Sequence, residues 1–140
     1  MNKGFTIIEV VVTLGILAII FGATAPINWE FYQKIELRTE YNNYLSYLKL
    51  ARAASLANKN ASAHGVYVGL NNVTVFEGNS YALRNQSQDQ IFSLSSLVTV
   101  TGATEIIFNP LSANTTNSTI TLSNSLGVYN IDINTQGKIE

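Results

Sequence analysis

The feature that most constrains this chain is residues 5–25, FTIIEVVVTLGILAIIFGATA, an apolar run of about 21 residues broken by a single charge, Glu9. At about 1.5 Å per helical residue the run reaches roughly 30 Å, the thickness of a hydrocarbon core, so a membrane-spanning helix is expected. A cleaved secretory signal competes, because Lys3 supplies a basic start and Ala23-Thr24-Ala25 has the small-x-small form of a cleavage site. Pro26 directly after that cut, and Glu9 inside what should be an uncharged segment, both count against it. A carboxylate within an apolar helix costs on the order of 3 kcal/mol on insertion scales. Either Glu9 lies shallow enough to reach the interface or is protonated, or a cation on a neighbouring helix meets it, which makes the cost conditional on assembly.

A chain of 140 residues that commits its start to such a helix has room for one modest domain with a small core. The formal net charge of -1, from 8 basic and 9 acidic residues, gives the whole chain no polycationic character toward nucleic acid or anionic lipid. The charges are unevenly spread. Lys34, Arg38, Lys49, Arg52 and Lys59 outnumber Glu30, Glu36 and Glu40 in the middle, whereas Glu77, Asp89, Glu105, Asp132 and Glu140 outnumber Arg84 and Lys138 afterwards. Cysteine is absent, which excludes disulfides, thiolate metal sites and a cysteine nucleophile together.

Beyond Pro26 the chain carries neither glycine nor proline until Gly65, and Phe31, Ile35, Tyr41, Tyr44, Leu45, Leu48, Ala51, Ser55 and Leu56 recur at helical offsets. Residues 26–60 are therefore expected to form an amphipathic helix with one buried stripe. Pro26 either kinks a continuous helix near Gly22, whose carbonyl lies four residues back, or starts a second helix as its first residue. Trp29, Phe31 and Tyr32 follow the apolar run where an interfacial aromatic belt would form.

From residue 61 the period changes to two. Val66 and Val68, Val73 and Val75, Tyr81 and Leu83, Val98 and Val100, Ile106 and Phe108, Ile120 and Leu122, and Ile131 and Ile133 mark short strands, with Asn- and Gly-rich turns between them. Strands this short need a helix over their apolar side. The expected class is α+β: a long N-terminal helix, half membrane and half amphipathic, packed on a small antiparallel β head at 61–140.

Met1-Asn2-Lys3-Gly4, then Phe5-Thr6-Ile7-Ile8-Glu9 and the apolar run, resembles the class III leader of type IV prepilins and type II secretion pseudopilins. The resemblance implies a leader at 1–4 and cutting by prepilin peptidase between Gly4 and Phe5. It further implies methylation of the Phe5 amine and pairing of Glu9 with that amine on an adjacent subunit. Its expected partners are other pilin or pseudopilin subunits and an inner-membrane assembly platform, with no cofactor. Its expected setting is the bacterial inner membrane, single-pass, with the head outside the cytoplasm. Residues 48–60, Ile106-Ile107-Phe108-Asn109-Pro110, Ile120-Thr121-Leu122 and the closing Gly137-Lys138-Ile139 are similar to the H-type minor pseudopilin and FimT family, although Leu111-Ser112 stands where that family has a glycine. Some FimT-like members bind DNA through basic C-terminal residues. Here Lys138 stands alone beside Glu140, and counterion release needs several clustered bases, so DNA binding is not expected.

No enzyme is expected. His64, the single histidine, sits beside Gly65 at the start of the first expected strand and reads as a satisfied or solvent-facing turn residue, and neither an H-E-x-x-H nor a D-x-D-x-D-G spacing offers a metal site. A G-x-S-x-G elbow and a phosphate-binding loop are likewise missing.

Overall fold

The computed structural model describes residues 4–140, without the side chains of residues 23–28. Helix α1 runs Ile7–Leu56 as one element. Thr6 caps its start, and the chain leaves it through Asn58, whose φ of 49° is the left-handed conformation that asparagine tolerates better than most residues. A single 3₁₀ turn, Lys59–Ala61, then reverses the chain into the head.

The head contains two antiparallel sheets rather than one. Strands β1 (His64–Val68), β2 (Asn72–Glu77), β3 (Gln90–Ser93) and β5 (Glu105–Phe108) form the first, in the order β3-β2-β1-β5. Strands β4 (Thr99–Gly102), β6 (Ser118–Asn124) and β7 (Gly127–Ile133) form the second, in the order β4-β6-β7. Strand β1 is central, with Val66 opposite Val75 on one side and Ile106 on the other. At Gly65 an added Cβ would lie 2.6 Å from the Phe76 ring and 2.7 Å from the Ile106 carbonyl oxygen, so the position admits no side chain.

One core joins both sheets to α1. Tyr44, Leu48 and Ala51 of the helix pack with Val66, Val73, Val75, Ile106 and Phe108 of the first sheet and with Ile120, Leu122, Ile131 and Ile133 of the second. The buried helical positions are Leu37, Glu40, Tyr44, Leu48, Ala51 and Ser55, spaced by three or four as one stripe. The expected stripe is thus corrected at its two ends: Phe31, Ile35 and Leu56 are exposed, and Leu37 and Glu40 take the N-terminal end. The head decides this. Its lowest contact is the β6–β7 turn, where Asn124 Nδ2 donates to the Gln33 carbonyl at 2.9 Å and Ser125 Oγ pairs with Gln33 Oε1 at 3.0 Å.

A second correction concerns Tyr81 and Leu83, which form no strand. Tyr81 stacks on Tyr67 with ring centroids 3.7 Å apart, and the Arg84 guanidinium covers its other face at 3.7 Å. That three-layer stack holds the segment as a turn, and the fourth strand of the sheet comes instead from Ile91 and Phe92 in β3. Leu111, in the position where a glycine would suit, has a φ of 65°, and Ala113 has 52°.

Candidate functional site

The candidate site is the start of α1. Gly4 and Phe5 lie in non-helical chain immediately before the helix, and both are exposed, Phe5 at 85%. A Cβ built on Gly4 meets nothing within 4 Å, so the peptide bond between them is open to a large partner. Met1, Asn2 and Lys3 of the expected leader lie outside the described residues.

Glu9 sits at the third helical position, where it forms a capping box with Thr6. The Glu9 N–H donates to Thr6 Oγ1 at 3.4 Å, and the Thr6 N–H donates to Glu9 Oε2 at 3.5 Å. Two of the amide donors that a helix start leaves orphaned are met this way, and the carboxylate also faces the positive end of the helix dipole. Sequence reasoning considered Glu9 only as a charge needing relief. The signal for this local role was present as T-x-x-E directly before an apolar run.

From Ile7 to Gly22 every residue of α1 is exposed, with Ile7 at 86% and Phe21 at 71%. Their side chains are apolar around the full circumference except Glu9 and Thr13, whose hydroxyl donates back to the Glu9 carbonyl at 2.7 Å. Gly15 and Gly22 have open space over their Cα atoms. A helix apolar on all sides belongs inside a membrane or a larger protein assembly, and the chain's own head covers none of it. Among the described residues no helix is long and apolar enough to cross a membrane. Residues 7–22 reach roughly 24 Å at about 1.5 Å each, against a hydrocarbon core of roughly 30 Å, and the side chains that continue the run lie outside the described residues. Gly22 and Pro26, the residues of the expected kink, both lie within α1, which runs through them as one element, and the Pro26 side chain is not described.

Residues 1–25 match the prokaryotic N-terminal methylation motif. The match supports the type IV pilin-like superfamily, whose subunits carry this class III leader and are structural rather than enzymatic. The long helix followed by a small antiparallel head agrees with a pilin-like fold. No curated protein and no solved structure matches the chain.

Two features of the head revise the reading of its polar residues. His64 begins β1, at the strand start where it was expected, but it is buried at 5% exposure rather than facing solvent, and neither ring nitrogen has a hydrogen-bond partner among the described residues. Its Nε2 stands 3.8 Å from Glu77 Oε2, and Asn60 Nδ2 donates to that same oxygen at 2.6 Å. Burial pushes the His64 pKa below its ordinary 6.5, with the Glu77 carboxylate opposing the shift. Glu40, buried in the helix stripe, accepts from the Ser95 N–H at 3.1 Å, and its burial raises its pKa above 4.5. Among the described residues no group of His, Cys, Asp and Glu could hold a metal ion.

Proposed function

We propose that this chain is a minor pilin or pseudopilin of the H-type and FimT-like kind, a non-enzymatic filament subunit of a type IV pilus or a type II secretion pseudopilus. Prepilin peptidase clips it between Gly4 and Phe5 and methylates the Phe5 amine. Before assembly it waits in the inner membrane, spanning it with residues 5–25, its head outside the cytoplasm. The assembly platform then moves it into a filament, in which apolar helices pack side by side and heads cover the surface.

The observation that carries this reading is the N-terminal part of α1, exposed around its whole circumference and holding one acid in its first turn. In the uncut chain Phe5 presents an uncharged amide, and among the described residues the Glu9 carboxylate accepts one long bond, from the Thr6 N–H at 3.5 Å. Cutting creates an ammonium at Phe5, charged near neutral pH. Delivered by an adjacent subunit into a low-dielectric helix bundle, that ammonium attracts the Glu9 carboxylate several times more strongly than it would in water. Gly15 and Gly22 let neighbouring helices approach closely enough for this pairing.

Glu9→Ala is expected to be clipped normally yet depleted from sheared filaments, as read by immunoblot of the filament and membrane fractions. Thr6→Val breaks the capping box but spares the carboxylate, and is expected to enter filaments almost as wild type does. Normal incorporation of Glu9→Ala, or equal depletion of both variants, contradicts the pairing.

A further inference from the structure

Near the C-terminal end of α1 a cavity of about 230 Å³ is lined by Lys49, Arg52, Ala53, Leu56, Lys138 and Ile139. Three of the six are cations and none is an acid. Lys49 and Arg52 are three residues apart on one helix face, a spacing at which like charges repel. Positions 45, 46, 48, 53, 55 and 56, their other neighbours at three and four residues, carry no carboxylate to relieve that repulsion.

Arg52 Nε is a buried atom without a hydrogen-bond partner among the described residues. A buried donor left unmade is costly, and more so when the group is charged. The guanidinium is a planar fork suited to two oxygens of one carboxylate or phosphate. A space of this size, open to solvent on one side, has room for a small oxyanion with water around it.

The opposite wall is fixed in place. Lys138 lies in a tight terminal turn, where its N–H donates to Asn134 Oδ1 at 2.9 Å and the Asn134 N–H donates to its carbonyl at 3.1 Å. Gly137 makes that turn with a φ of 70°, and a Cβ there would lie 2.1 Å from the Ala113 carbonyl oxygen. The Lys138 ammonium is paired with the Glu140 carboxylate, but both side chains are exposed, so the pair holds weakly and yields to a competitor.

We infer that Lys49, Arg52 and Lys138 form a binding site for a single small oxyanion, a phosphate or a carboxylate, with Arg52 as the two-pronged ligand. Three bases, one of them shared with Glu140, suit one oxyanion rather than a polyanion. The site stands on the geometry of the head and does not depend on the chain assembling into filaments.

The test uses the full chain in detergent micelles, titrated with inorganic phosphate and separately with acetate, ionic strength held constant with sodium chloride. In the wild type a saturable shift of the Arg52 Nε–H resonance and a saturable rise in Tm are expected with at least one of the two anions. Arg52→Lys keeps the charge but loses the fork, and is expected to weaken binding about tenfold, the equivalent of losing one charge-assisted hydrogen bond. Lys49→Gln, an exposed change, weakens it several-fold, and Glu140→Gln, which frees Lys138, strengthens it. A response to phosphate alone assigns the site to a phosphate-bearing ligand. A response to acetate as well assigns it to carboxylates too, including an acidic side chain of a neighbouring copy. The inference is overturned if neither anion acts beyond the chloride control, or if Arg52→Lys and Lys49→Gln respond as the wild type does.

Discussion

Ser55 illustrates how much one buried polar side chain does in a small core. Its Oγ donates to the Phe108 carbonyl at 2.8 Å and accepts the His64 N–H at 2.9 Å, while its own carbonyl accepts the Leu111 N–H at 2.9 Å. The end of α1, the start of β1 and the loop after β5 are thereby stitched at one point. Ser55→Ala leaves a buried carbonyl and a buried N–H unmet, and is expected to lower stability by about 1–3 kcal/mol, measured by denaturant titration of the full chain in micelles. The helical spacing puts Ser55 on the buried stripe, but periodicity is blind to the two long-range bonds that make serine suit the position. His64 was misread for a related reason: burial depends on which strands flank it, and β2 and β5 enclose it from both sides. Because its folded pKa lies below 6.5, the folded state favours the neutral ring. The stability this provides is present above pH 6.5 and is lost as pH falls below that value through the folded pKa. Glu77 faces the ring and Lys59 acts on it from the 3₁₀ turn, pulling the shift in opposite senses. A Tm series between pH 8 and pH 5 is expected to fall in the wild type, and to fall less steeply in His64→Gln.

At the scale of elements, α1 was readable in kind but not in phase. Offsets of three and four residues announce an amphipathic helix, yet Phe31 and Ile35 fit the pattern as well as Leu37 does. The choice belongs to the head, whose β6–β7 turn reaches down the helix only as far as Gln33 and covers the Leu37 side. The sequence also suggests that acids do not belong in a buried stripe, whereas Glu40 occupies one because the Ser95 N–H comes to its carboxylate from 55 residues away. Likewise Tyr81 and Leu83 alternate like a strand, and only the stack of Tyr67, Tyr81 and Arg84 makes them a turn. The helix stripe gives a direct contrast. Leu48→Ala is expected to cost about 2–5 kcal/mol, because it opens a cavity between α1 and both sheets. Phe31→Ser, on a side chain 64% exposed, is expected to leave denaturant stability within about 0.5 kcal/mol of wild type.

For the whole molecule, one chain divides into a head that satisfies itself and a helical start that does not. The head closes a core shared by two sheets and the distal half of α1, whereas the first part of α1 leaves Ile7, Ile8, Val11, Leu14, Ile19 and Phe21 uncovered. This division was the most legible part of the sequence, because an apolar run with a single early acid needs no tertiary context to be recognised. The capping box of Thr6 and Glu9 adds that the acid already has a local partner in the uncut chain. On the proposed reading, assembly has to offer Glu9 something better than its own helix start, and a newly freed Phe5 amine is the charge proposed to do so. Intact-mass and N-terminal fragment analysis of the native protein recovered from filaments tests this directly. The account predicts a chain that begins at Phe5 and carries one methyl group on that amine. A native chain that begins at Met1, or at Pro26, would contradict it.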